Sequence, residues 1–220
     1  GLEIDDVARL VVPPPRSLRV LLAEDGSPLL QAVLDGLSLA ALEVVSPSQL
    51  QQMVADGAAA NWDLVVARDV QLGTLPPGRY LLMGPPPMGV GVDSYAKGEP
   101  QVMVAADEDH DVMRFVRYDD VVTTAGHAIS PQRDVAVLLE GSRWPAVLAV
   151  DRGGVHLVHV AFDPLDSNWP YLRSFPFFVF NAIDHLGRGG DALTGRALSP
   201  GDALALEVPV GTESVRIGAP

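Results

Sequence analysis

The apolar positions of this chain fall into short runs separated by turn residues, and their period changes along its length. Residues 18–23 (Leu-Arg-Val-Leu-Leu-Ala) are almost continuously apolar, the pattern of a strand covered on both faces of a parallel sheet. Glu24-Asp25-Gly26 turn the chain. Ser27 is placed to cap a helix with Pro28 at its first position, where a missing N–H costs nothing. Leu29, Leu30, Val33, Leu34 and Leu37 recur at helical spacing. The unit repeats, with a strand at 42–45 and a helix to about Gly57. Ser46 caps that helix, with Pro47 at its first position and Gln49 three residues on, a capping-box pattern. Further strands are read at 62–67 and 79–83. This alternation predicts a doubly wound, flavodoxin-like α/β sheet.

The middle of the chain changes character. Residues 84–91 are rich in Pro and Gly and read as a loop. Strands follow at 102–105, 112–116, 121–124, 135–139, 146–150 and 155–162, with Arg152-Gly153-Gly154 as a hairpin turn between the last two. Strands without intervening helices predict antiparallel additions to the sheet. A last helix, with Ser174 as its cap, carries Phe177, Phe178, Val179, Ala182, Ile183 and Leu186 and stops at a left-handed Gly187. Towards the ends, 6–12 reads as a strand halted by Pro13-Pro14-Pro15. Gly189-Gly190 reads as a hinge, and 204–208 and 214–217 as two more strands. The expected division is 1–16 as the end of a preceding β domain or a connector, 17–187 as the α/β domain, and 188–220 as a hinge and a short C-terminal β segment. With Gly1 in place of Met, the chain is expected to be a piece of a longer protein.

Composition narrows the partners. Of 220 residues, 48% are hydrophobic and 20% charged, enough for a packed core. Fifteen Lys plus Arg stand against 28 Asp plus Glu, a net charge of −13. That argues against nucleic acid, which requires a basic face to displace counterions, and against adhesion to anionic lipid. No apolar run is long enough to span a bilayer, so no direct membrane insertion is expected. The absence of Cys removes disulfides, thiolate metal sites and cysteine nucleophiles together.

Several stretches invite chemistry and then decline it. Asp107-Glu108-Asp109-His110-Asp111 is acidic enough for a hard cation but lacks the alternation, Gly and terminal Glu of a calcium loop, and reads as a solvated run. His156 and His159 are three apart in a strand, which puts them on opposite faces. The 84–91 loop follows a strand as phosphate loops do, but Pro85, Pro86 and Pro87 have no N–H to offer. Ser27 stands where a nucleophile elbow would, yet G-x-S-x-G is absent; Ser94 and Ser142 have no adjacent His. None of His110, His127, His156, His159 and His185 lies in a recognisable triad pattern. No cofactor or metal is expected.

The most distinctive stretch is Phe162-Asp163, Ser167-Asn168-Trp169-Pro170, Phe175-Pro176 and Asn181-Ala182-Ile183 with Leu186. It reads as a strand-to-helix corner whose acids and amides satisfy free N–H groups. It also resembles a family of large bacterial membrane proteins. These combine an aerotolerance-regulator-type membrane segment, a von Willebrand factor A domain and a class I glutamine-amidotransferase-like domain. Asp5-Asp6-Val7-Ala8, Val11-Val12-Pro13 and the 18–22 strand are similar to that family, as is His110-Asp111-Val112, with Asp111 where the family has proline. The resemblance spans roughly 5–187 and implies an amidotransferase-like fold. True class I amidotransferases carry a Cys nucleophile with downstream His and Glu; this chain has neither the Cys nor an H-x-E. The resemblance therefore implies a non-catalytic interaction or scaffolding module. Its partners would be other domains of its parent or another protein. Segments outside this chain would hold it at a membrane, on the extracytoplasmic side.

Two rivals stand beside that reading. One is a small-molecule-binding domain using the crevice at Asp25, Arg68 and Asp69, with Asp163, Asp166, Ser167, Asn168 and Arg173 at the corner, because open α/β sheets bind ligands at the carboxyl ends of their strands. The other is a divergent serine hydrolase. Convergent polar groups would favour the first, a Ser–His–acid pairing the second, and a featureless crevice the scaffold.

Overall fold

The computed structural model describes residues 17–187. The expected connector at 1–16 and the hinge and β segment at 188–220 lie outside the described residues.

Short apolar runs become strands in sequence order. β1 (Arg19–Ala23) leads to α1 (Leu29–Leu34), β2 (Ala41–Val45), α2 (Pro47–Ala55), β3 (Leu64–Arg68) and β4 (Gly78–Met83). An all-β stretch follows: β5 (Val92–Gly98), β6 (Gln101–Ala106), β7 (Val122–Thr123), β8 (Gly126–Pro131), β9 (Ala136–Gly141), β10 (Pro145–Arg152) and β11 (Val155–Val160). After it comes α3 (Ser174–Gly187). Nine strands form one sheet in the order β2-β1-β3-β4-β11-β10-β9-β6-β7. The half from β2 to β11 is parallel, and β10, β9, β6 and β7 extend it antiparallel. β5 and β8 pair separately as an antiparallel ribbon. The expected flavodoxin-like sheet with antiparallel additions is present, with β11 in the place of the fifth parallel strand.

The parallel strands are what the continuous runs implied. Val20, Leu21, Leu22, Leu64 and Val66 have no exposed surface, and burying each such side chain contributes about 1.5–3 kcal/mol. Right-handed crossovers that run in opposite directions along a sheet cover opposite faces. The β1→β2 and β2→β3 connections run in opposite directions, so α1 and α2 flank the sheet on its two sides. The β3→β4 connection has no helix. There Val70, Leu72 and Leu75 pack directly into the core, and the buried Tyr80 hydroxyl donates to the Pro76 carbonyl at 2.8 Å. Burial pushes that phenol up to about 12.

Several local expectations need correction. The Ser46/Gln49 capping box is formed, but α1 has no serine cap. The Glu24 carboxylate accepts from Leu30 N–H at 3.0 Å and Gln31 N–H at 2.9 Å instead. Residues 112–116 are not a strand; they form a short 3₁₀ turn, Asp111–Met113, and a bend. β5 and β8 replace what read as unassigned chain. Ser174 lies inside α3, and its Oγ accepts from the Trp169 indole at 3.2 Å. Gly187 is not left-handed; it is small because a Cβ would sit 2.6 Å from Leu18 Cδ1.

Candidate functional site at the carboxyl ends of the parallel strands

The parallel strands β1, β3, β4 and β11 end on one edge, and their following residues converge there. Arg68, the last residue of β3, is 4% exposed. Its Nη1 donates to Asp163 Oδ2 at 2.8 Å, Nη2 donates to the Asp25 carbonyl, and Nε lies 3.6 Å from Glu24 Oε2. One guanidinium thus ties the end of β3 to those of β1 and β11. A buried charge of this kind persists only when paired and hydrogen-bonded. Burial pushes the Asp163 carboxyl above the usual carboxylate range, against the Leu165 N–H and Arg68, which pull it down.

This arrangement also decides what the edge cannot hold. In an open α/β sheet the first helix N-terminus is where an external anion would sit. Here Glu24 already occupies the α1 N–H groups, so an internal carboxylate stands where a phosphate would go.

Asp69 follows Arg68 with φ +52°, in the left-handed region that side-chain-bearing residues rarely adopt. Its N–H donates to the Met83 carbonyl at 2.7 Å. Gly84, at φ +113°, lies so close that a Cβ there would be 3.1 Å from Asp69 Cα. The side chain of Asp69 is exposed. Strain of this kind persists where surrounding structure over-determines it, and it concentrates at functional positions.

Two histidines complete the edge. His127, on β8, is half-buried, and its N–H donates to the Ala161 carbonyl at 2.7 Å. Burial lowers its pKa, with Asp69 and Asp166 close enough to oppose that. His159, on β11, is fully buried, with Nε2 3.0 Å from the Gly84 carbonyl oxygen and Nδ1 without a partner. Burial lowers its pKa to about 4. Near neutral pH it is uncharged, with Nε2–H donating to Gly84 and Nδ1 left as an acceptor.

Of the eight residues singled out from sequence, the structure brings Asp25, Arg68, Asp69, Asp163 and Asp166 to this edge. Asp166 is exposed, and its carbonyl accepts from Thr124 N–H at 2.7 Å. Ser167 and Asn168 are turned to the backbone. Ser167 Oγ donates to the Pro164 carbonyl at 2.7 Å. Asn168 Nδ2 donates to the Asp120 carbonyl and its Oδ1 accepts from Val122 N–H, at 2.7 and 2.8 Å. Arg173 is not in the cluster; it lines a different pocket at the start of α3. Sequence reasoning missed Glu24, His127 and His159 as members. Glu24 directly follows a parallel strand, a signal that was there to be used. His127 was hidden because β8 was not recognised.

Among the described residues no group of three or more His, Asp or Glu is arranged to hold a metal. No serine hydroxyl there is hydrogen-bonded to a histidine.

No family model matches the chain, and no curated protein does. Solved structures do. A cytoplasmic protein of Salmonella typhimurium LT2 superposes with a TM-score of 0.58 at 12% identity, covering 76% of this chain and 98% of that one. A second cytoplasmic protein of Salmonella typhimurium gives 0.57 at 13% identity, with the same coverage. A ThuA-like protein of Parabacteroides merdae gives 0.53 at 11% identity, covering 79% of this chain and 91% of that one. Likeness at this identity shows the fold alone, and the fold is glutamine-amidotransferase-like.

These neighbours overturn the resemblance to the large bacterial membrane proteins. They are described as ThuA-like or cytoplasmic proteins and are matched along nearly their whole length. None carries a von Willebrand or aerotolerance-regulator description. The corner motif that suggested that family is explained by the fold. Phe162, Trp169, Phe175 and Phe178 form one buried aromatic cluster, and Asp163 caps the turn that begins at Pro164. No helix among the described residues is long and apolar enough to cross a membrane.

Proposed function

We propose that this amidotransferase-like domain is a small-molecule-binding module whose ligand sits at the carboxyl edge of β3, β4 and β11. The observation that carries the reading is Asp69, held in a left-handed conformation over Gly84 with its carboxylate exposed beside His127. The groups that face the edge are the Asp69 and Asp166 carboxylates, which accept hydrogen bonds, and the His127 imidazole, which when neutral offers one donor and one acceptor. The ligand is therefore a small polar molecule that donates hydrogen bonds, a hydroxyl- or amine-bearing compound and not an anion. With no cysteine in the sequence and no Ser–His hydrogen bond among the described residues, neither amidotransferase nor serine-hydrolase chemistry has support here.

The test is ligand-observed NMR of the full chain against pools of neutral polyols, amines and phosphorylated compounds. Binding is expected from the polyol or amine pool and not from the phosphates. Asp69→Gly removes the carboxylate and relieves the backbone, so it is expected to weaken binding at least about tenfold while raising the melting temperature. Selective phosphate binding, or unchanged affinity in that variant, overturns the reading.

The interaction reading keeps one specific support. Val102 and Val104 on β6 and Val122 on β7 are each more than 40% exposed, and Val102 pairs directly with Val122. A partner domain that covered this edge stripe would bury a β-branched surface. Val104→Glu would then abolish association of the partner without loss of fold.

A further inference from the structure

We infer that the pocket at the start of α3 is a second binding site, for a small monocarboxylate carried on an aromatic or similarly bulky apolar body. The pocket encloses about 230 Å³. Pockets for drug-sized ligands run from about 300 Å³ upward, so this space suits one ring with a short acidic arm. Phe115 and Phe177 line it, and they are 77% and 54% exposed. Arg117 and Arg173 line it too, on a chain of net charge −13. Among the described residues neither guanidinium has a hydrogen bond or ion pair, although Arg68, Arg143 and Arg152 all meet carboxylates. Asp120 also lines the pocket. The lining keeps a net positive charge, and Arg114, whose guanidinium lies 5.1 Å from the centroid of the Phe115 ring, adds to it, so the pocket favours an anion such as a carboxylate.

Phe115 supplies the independent observation. Val116 N–H donates to the Met113 carbonyl at 3.0 Å, closing a four-residue turn. Arg114 has φ −60° and ψ +121°, and Phe115 has φ +61°. That is a type II turn, whose third position calls for glycine. A phenylalanine at positive φ is a genuine outlier, and here its ring stays exposed, with the Arg114 guanidinium 5.1 Å from its centroid. Val112, Met113 and Val116 are buried, and Asn181 Nδ2 donates to the Arg114 carbonyl at 2.6 Å, so the turn is held on α3. The ring is presented to solvent under the Arg114 guanidinium, in a pocket that Arg117 and Arg173 also line. Gaining affinity for an apolar anion is a physical reason to keep it there.

The experiment is calorimetric titration of the full chain with 3-phenylpropanoate, and with 3-phenylpropan-1-ol as the neutral control. Saturable binding of the acid is expected, with the alcohol at least about tenfold weaker and affinity falling as salt rises. Arg117→Gln with Arg173→Gln should abolish the preference for the acid. Phe115→Gly should raise the melting temperature and at the same time weaken binding of the acid about tenfold. Equal binding of acid and alcohol overturns the inference. So does unchanged affinity in the double arginine variant, a Phe115→Gly variant that binds as well as the parent, or no saturation up to about 10 mM. Asp69→Gly should leave this binding intact, which separates the site from the strand edge.

Discussion

At the scale of single residues, His159 is the group whose environment departs furthest from water. It is fully buried, and its pKa falls to about 4 from 6.5. Between those values the unfolded chain binds the proton and the folded chain does not, so stability rises with pH across that window. The difference corresponds to about 3 kcal/mol lost on acidification from above 6.5 to 4. Burial also lowers the pKa of His110, His127 and His185, which steepens the loss in the same direction. Urea unfolding at a series of pH values should show this slope. His159→Gln can still donate to the Gly84 carbonyl and should flatten it; an undiminished slope would assign the effect to other groups. Arg68, Asp69 and Asp163 could be named from sequence because they sit at strand ends. That Arg68 is spent on pairing while Asp69 is free could not be. The pairing of Arg68 depends on distances to segments 43 and 95 residues away.

At the scale of elements, local chemistry was readable where the partners are close in sequence. The Ser46/Gln49 box formed because both groups lie within four residues. α1 is capped by Glu24, six and seven residues from the N–H groups it satisfies, which a nearest-neighbour reading does not reach. Two strands escaped notice because their glycines answer to packing and not to turns. Gly98 on β5 and Gly126 on β8 lie under Trp144, and a Cβ on Gly126 would stand 2.4 Å from Trp144 Cη2 and 2.9 Å from the Ala161 carbonyl oxygen. Gly126→Ala should therefore cost about 1–3 kcal/mol, the range for overpacking a tight site. Equilibrium urea unfolding checks it. A neutral result would show that Trp144 can move aside.

At the scale of the whole described domain, the parallel half and the β5–β8 ribbon should differ in cooperativity. A lone two-stranded ribbon is marginal in water; this one leans on Trp144, which is 3% exposed and meets Phe162 edge-on at 6.4 Å. Trp144→Ala should raise hydrogen exchange in β5 and β8 selectively, while β1, β3 and β4 stay protected. Uniform loss of protection would mean that the ribbon and the sheet open together. The ribbon carries His127 to the carboxyl edge, so the same variant should weaken any ligand held there.

The order of apolar runs was enough to determine the parallel core, because strands buried on both faces must be continuously apolar whatever lies beside them. It also determined that cysteine chemistry is absent, since composition admits no exception. Only the folded chain decided which charges are consumed and which are free. Neutralising a buried guanidinium, orphaning an imidazole nitrogen or holding a phenylalanine at positive φ are outcomes of long-range packing, and no local pattern of residues encodes them.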